Sequence, residues 1–197
     1  MFLDQYLSYN EHICTTVASC MNKLIQINRI KHLFDKETLS LIINSFVFSR
    51  FFYCSSVWSN TSAINIHKLL LVQNFAARII LGLRKYDYIS AGLRSLRWLN
   101  VKQRPMVNDA VMMHKCLQGL STSYFSDKFS TRATDHNRQT RYRNSLNIPH
   151  CRITAGQRAF CYRGVKIWNS LSKDLQEITN TKAFKRRLIK DLTCDMN

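Results

Sequence analysis

The stretch Leu69-Leu70-Leu71-Val72-Gln73-Asn74-Phe75-Ala76-Ala77-Arg78-Ile79-Ile80-Leu81-Gly82 decides the fold class. Leu69, Val72, Phe75, Ala76, Ile79, Ile80 and Leu83 recur at steps of three and four, the spacing of one helical face, while His67, Lys68, Asn74 and Arg78 point largely elsewhere. Gly82 is a natural stop, because glycine adopts the left-handed backbone that closes a helix. The helix opens near Thr61 or Ser62. The run is too interrupted by Gln73, Asn74 and Arg78 to predict a membrane span.

The same period extends outward. Ile13, Val17, Cys20, Leu24 and Ile27 predict a helix over 11–30. Asp35 reads as the N-cap of a second helix, with Glu37 in its first turn beside the positive helix end. Leu39, Ile42, Ile43, Phe46, Val47, Phe51 and Phe52 make that helix apolar almost all round, hence central. A short helix is expected around 93–99. Asn100 caps a further one reaching Gln118 and closed by Gly119, with Val107, Ala110, Val111, His114 and Leu117 as its apolar stripe. A terminal helix over 180–192 packs through Phe184, Leu188 and Leu192. Only five Gly and two Pro punctuate the 197 residues. The fold class is therefore mainly α: an irregular helical bundle, which the resemblance described below makes thumb-like, then a basic loop-rich segment and a C-terminal helix, with room for a short β-hairpin. Residues 1–9 read as the tail of a strand and a turn. The organisation expected is 1–10 as an entry segment, 11–120 as the helical domain and 121–197 as the basic C-terminal segment.

Charge points to function. There are 29 Lys and Arg against 12 Asp and Glu, a net charge of +17. Residues 1–60 hold five bases and four acids, residues 61–130 ten and three, and residues 131–197 fourteen and five. The first third reads as scaffold and the rest as a binding surface for a polyanion, nucleic acid before a membrane. Basic residues are interleaved with aromatics: Arg78, Arg84, Lys85, Tyr86 and Tyr88; Arg94, Arg97 and Trp98; Arg138, Arg141, Tyr142 and Arg143; Arg158, Phe160, Tyr162, Arg163, Lys166 and Trp168. Arginine forks suit phosphate oxygens and exposed rings can stack on bases. Trp98, Phe160 and Trp168 read as core anchors. Arg78, Arg84, Lys85, Arg94, Arg97, Arg141, Arg143, Arg158 and Arg163 are the candidate nucleic-acid contacts, since no acid close in sequence satisfies them. Residues 130–147 read as an extended basic loop.

Catalytic patterns are missing. His150, Cys151, Cys161 and Cys194 match no zinc spacing. The acids stand apart, whereas two-metal phosphoryl chemistry needs clustered carboxylates. There is neither a Gly-rich phosphate loop nor a Gly-x-Ser-x-Gly elbow. Seven scattered cysteines without a Cys-x-x-Cys suit reduced thiols in the cytoplasm or nucleus rather than a secreted disulfide framework, and no signal peptide opens the chain.

Several segments together carry a resemblance. Val72-Gln73-Asn74-Phe75-Ala76-Ala77-Arg78-Ile79-Ile80 resembles the "xVQNxAARxI" helix in the C-terminal part of non-LTR, LINE-like retrotransposon reverse transcriptases. Tyr53-Cys54-Ser55-Ser56-Val57-Trp58 is similar to their "YCSxVW" segment, and Leu3-Asp4-Gln5-Tyr6-Leu7-Ser8-Tyr9-Asn10-Glu11-His12-Ile13 to the "LDxxLSxxxHI" that leaves the polymerase palm, which implies that 1–10 is a remnant of the palm exit. Leu96-Arg97-Trp98-Leu99, Gly156-Gln157-Arg158-Ala159-Phe160, Trp168-Asn169-Ser170-Leu171 and Phe184-Lys185 follow in the family's order. Ser172 stands where the family usually has Pro. The resemblance implies a non-catalytic thumb and downstream segment of an RNA-directed DNA polymerase. The magnesium-binding palm would lie upstream, so no catalytic residue, metal ligand or cofactor falls on this chain. RNA or RNA–DNA duplex is the implied partner, with the palm of a parent polyprotein as a second; no small-molecule substrate is implied. The alternatives are a structural helical module docking on that palm and a decayed element remnant without independent function.

Overall fold

The computed structural model describes residues 2–126, 128–131 and 145–194. It is mainly helical. The chain forms two compact units, one running to Pro105 and the other beginning at Met106. The division falls inside a helix, where the sequence reading placed it near residue 120. The reason lies in the burial pattern beyond Pro105: Val107, Ala110, Met113 and Cys116 are all buried and join the second core.

In the first unit, helix α1 (Asn10–Ile30) packs on α5 (Ala63–Leu81). Ile13, Cys20, Leu24 and Ile27 of α1 meet a core to which α5 contributes Leu69, Val72, Ala76, Ile79 and Ile80. Each large apolar side chain withdrawn from water contributes about 1.5–3 kcal/mol before chain entropy is offset. Ser62 caps α5 by accepting the Asn65 N–H, and Gly82 closes it at φ 68°, as the sequence predicts. By length and composition α5 could cross a membrane, but half of its apolar window is buried inside this unit.

Helix α2 (Lys36–Ile43) starts at the expected cap, Asp35, whose carboxylate accepts the Glu37 and Thr38 N–H groups. It does not continue as one regular helix. A π-turn over Asn44–Phe48 intervenes before α3 (Ser49–Phe51), and the Ser49 N–H reaches back to the Asn44 carbonyl. The extra residue redirects the apolar face: Ile43, Val47, Phe48 and Phe51 are buried while Phe46 is 61% exposed. Two α1 side chains donate to carbonyls of this turn, Lys23 Nζ to Phe46 at 2.9 Å and Cys20 Sγ to Val47 at 3.9 Å.

Residues 2–9 hold no strand. Asp4 closes a turn instead: its carboxylate accepts the Tyr6 and Ser8 N–H groups at 3.1 and 2.7 Å and the Ser8 hydroxyl. The turn is tied to α5 through Thr61 Oγ1, which donates to the Ser8 carbonyl at 2.8 Å, and through the Asn65 amide on Asn10 and Thr61. The Tyr53–Trp58 segment is also a backbone device. Cys54 takes a left-handed φ of 51°, α4 (Ser55–Trp58) follows, and the buried Trp58 indole donates to the Tyr53 carbonyl at 2.8 Å. Beyond α5 a loop leads to α6 (Ser90–Ser95), shorter and earlier than the 93–99 expected. Buried Gln73 donates to the Leu99 carbonyl at 2.8 Å and so pins the chain end that follows α6.

Helix α7 (Gln103–Leu117) opens on a reciprocal cap: Asn100 Oδ1 accepts the Lys102 and Gln103 N–H groups while Gln103 Oε1 accepts the Asn100 N–H. Its buried face holds Val107, Ala110 and His114 as expected, but Met113 and Cys116 take the place assigned to Leu117, which is 37% exposed. The short α8 (Ser123–Ser126) and α9 (Thr154–Gln157) lead to α10 (Phe160–Ser170), α11 (Lys173–Gln176) and α12 (Thr181–Cys194). Val165, Trp168, Leu175, Phe184 and Leu188 complete the second core. His114 stacks on Phe184 with centroids 4.6 Å apart, and its Nε2 lies 2.6 Å from the Ile178 carbonyl. Asn169 clamps the Leu146 backbone, donating to its carbonyl at 2.9 Å and accepting its N–H at 3.0 Å. Among the described residues the expected hairpin reduces to one antiparallel bridge, Thr131 to Leu146.

Candidate nucleic-acid interface

Three cations converge on one cleft of the first unit. Arg78 comes from the last turn of α5, Lys85 from the loop that follows, and Lys31 from the chain leaving α1. The cleft holds about 380 Å³ and is also lined by Asn28, Phe75, Ile79 and Leu83. The helical period explains the pairing of chemistries. Phe75 and Ile79 lie on the core-facing side of α5, and Arg78, one position before Ile79, sits at its border.

Arg78 is half-buried. Its Nη2 donates to the Asp87 carbonyl at 3.4 Å, and its buried Nε has no hydrogen-bond partner among the described residues. The loop itself is a closed turn: the Arg84 N–H donates to Asp87 Oδ2 at 2.7 Å and the Asp87 N–H to the Arg84 carbonyl at 3.3 Å. The guanidinium of Arg84 is on an exposed residue, as is the ammonium of Lys85. Tyr86 and Tyr88 are 89% and 80% exposed, and Lys85 Nζ lies 5.4 Å from the Tyr86 ring centre.

The sequence candidates thus separate. Arg78 and Lys85 share the cleft, and Arg84 stands on the adjoining turn. Arg94 on α6 and Arg97, at a left-handed φ of 51°, are exposed in the same unit but do not line the cleft. Arg158 is exposed at the end of α9 in the second unit. Arg163 of α10 faces inward and pairs with Asp109 of α7 at 3.2 Å, the two side chains being 15% and 4% exposed. The premise that no acid satisfies the arginines fails there, because Asp109 is 54 positions distant in sequence. Arg141 and Arg143, with the rest of the expected basic loop over 132–144, lie outside the described residues.

Lys31 escaped the sequence reading because it belongs to the first third, whose charges nearly balance. Its signal was available: it follows Arg29 at the end of α1, where cations are favoured by the helix dipole. Arg104 was likewise passed over. It lies 4.4 Å over the Phe52 ring, and burial pulls its pKa down from the ordinary value. Trp98 meets Phe48 edge-on at 4.7 Å and Trp168 is buried, in keeping with their reading as anchors.

Among the described residues no group of three or more His, Cys, Asp or Glu side chains could hold a metal ion. Six described cysteines are free thiols, of which Cys20 and Cys116 are buried; burial raises the pKa of Cys20. What the arrangement can do is hold anions on a cation-lined cleft beside exposed rings. The class reached is a basic, mainly helical protein with a cationic cleft. No family model matches the chain, and neither does any curated protein or solved structure.

Proposed function

We propose that this chain binds RNA or RNA–DNA duplex through backbone phosphates, as a non-catalytic C-terminal segment of a non-LTR retrotransposon reverse transcriptase. The observation that carries the binding is the convergence of Lys31, Arg78 and Lys85 on one cleft, with Arg84 beside it, in a chain of net charge +17. The link to the retrotransposon family rests on the sequence resemblance alone. Its quoted motifs have structural work in this chain: Trp58 ties its own turn, Gln73 holds the Leu99 carbonyl, and Asn169 clamps Leu146. Catalysis would belong to a palm that this segment does not contain.

Filter binding in a salt series tests the reading. Each phosphate contact on duplex contributes about 0.9 to the log–log slope, so four contacts give about 3.6 and a loss of roughly 150-fold between 50 and 200 mM salt. The Arg78→Ala, Lys85→Ala double variant lowers the slope by about 1.8. A flat salt response refutes phosphate binding.

A docking module is the second reading, favoured by the exposed apolar side chains Leu33, Leu41 and Phe46, each more than 60% accessible. Exchanging Arg78 and Lys85 for Ala separates the two. Lost RNA binding with unchanged melting supports the first reading; unchanged RNA binding with lost docking or folding supports the second.

A further inference from the structure

We infer that the first unit takes single-stranded RNA in preference to duplex: one unpaired nucleotide sits in the Lys31–Arg78–Lys85 cleft, and Tyr86 and Tyr88 stack on neighbouring bases. This rests on the phosphate-binding reading above and names its substrate form.

Phosphate contacts alone need only a convex cationic surface. The cleft is concave, and its size falls in the range of small-ligand sites, roughly 300–1,000 Å³. Its lining joins cations to Phe75, Ile79 and Leu83. A duplex presents sugar and phosphate to such a wall and keeps its base faces stacked inside. An unpaired nucleotide offers both halves of the chemistry, an apolar base face and an anionic phosphate.

The tyrosines are the second, independent observation. At 89% and 80% exposure they contribute little to the core. Tyr86 stands within the turn that Asp87 closes with the Arg84 N–H, beside Lys85, and Tyr88 follows that turn directly. A turn held this way spends less entropy on ordering at binding. Aromatic rings on a cationic track are the recurring platform for single strands, because every base has a face to stack. Arg78 adds a half-buried cation to the cleft wall.

The experiment is fluorescence anisotropy on the full chain. The probes are an unstructured RNA of about twelve nucleotides and the duplex of the same sequence. The wild type binds the single strand more tightly. Tyr86→Ala with Tyr88→Ala loses at least about 30-fold in single-strand affinity and leaves duplex affinity within about twofold. Tyr86→Phe with Tyr88→Phe retains single-strand binding. Replacing the bases one at a time by abasic sites locates the seated nucleotide as a position of maximal loss. The inference is overturned if the alanine pair weakens both probes equally, or neither. Steeply salt-dependent binding without single-strand preference overturns this inference and leaves the phosphate reading standing. Binding to neither probe overturns both.

Discussion

Replacing Arg163 by Met leaves the carboxylate of Asp109, 4% exposed, without its cation. At 3.2 Å and an effective dielectric constant near 20 the gross attraction between the two charges is about 5 kcal/mol. Desolvation of both groups offsets most of that in the intact pair, so the pair itself adds little. Removing one partner is different, because the desolvation of the other remains; such losses run to about 3–5 kcal/mol. Arg163→Met therefore costs about 3 kcal/mol in urea melts. Asp109→Leu costs less, because the Arg163 side chain, 15% exposed, is nearer to water. The double variant, apolar on both sides, recovers to within about 1 kcal/mol of the wild type. RNA affinity measured on folded Arg163→Met stays near wild type. The reasoning is refuted if Arg163→Met melts like the wild type while its RNA affinity collapses, since the arginine would then serve the ligand and not the fold.

Other substitutions test the frame of each unit. Gly82→Ala, at φ 68° with open space around the position, lowers stability by about 1 kcal/mol from backbone strain alone, and Gly82→Asn costs less in the same denaturant series. His114→Ala removes a ring stacked on Phe184 and a contact to the Ile178 carbonyl, so calorimetry gives a loss of about 2–4 kcal/mol. The Asp35 carboxyl is held below its ordinary value of 3.8, chiefly by the Thr38 hydroxyl and then by backbone N–H groups. Its pKa is depressed in the folded state, so its stabilisation is present above the unfolded pKa and is lost as pH falls through the folded value. Asp35→Asn keeps the cap and flattens that part of the acid limb; a thermal-melting series from pH 6 to about 2.5 reads the difference.

Local patterns were legible in the sequence and distant partnerships were not. The caps Asp35 and Asn100 and the stop at Gly82 follow from side-chain chemistry within three residues and act as predicted, and Ser62 proves to be the cap where the opening was expected at Thr61 or Ser62. The apolar period located α1, α5 and α7 for the same reason. The π-turn over Asn44–Phe48 escaped because a helix apolar on nearly every side carries no phase to be broken. Of the strand tail and turn expected over residues 1–9, the turn is present and the strand is not found over 2–9; the hydrogen bonds of that turn depend on one carboxylate, Asp4, meeting Ser8 rather than on any period. At the cleft, Arg78 and Lys85 were visible as a basic cluster. Lys31 reaches them only through α1 packing on α5, and Asp109 reaches Arg163 only because the fold brings these points of α7 and α10 together, with Met113 of α7 against Gly164 of α10.

The π-turn also sets how this protein tolerates changes in length. A π-turn is a helix carrying one residue more than its regular ladder requires. Deleting Ser45 or Phe46 would let α2 and α3 run on as one unbroken helix. The facing of the chain beyond it would hardly change, because four regular helical residues at about 100° each sweep nearly the same angle as the five of the wider turn. Phe48 and Phe51 would stay on the core side with Leu39 and Ile43, and what would be lost is the wide turn whose carbonyls Lys23 and Cys20 now hold. The π-turn therefore works as a take-up for length: the helix accommodates one residue more at this point without turning the apolar side chains beyond it away from the core.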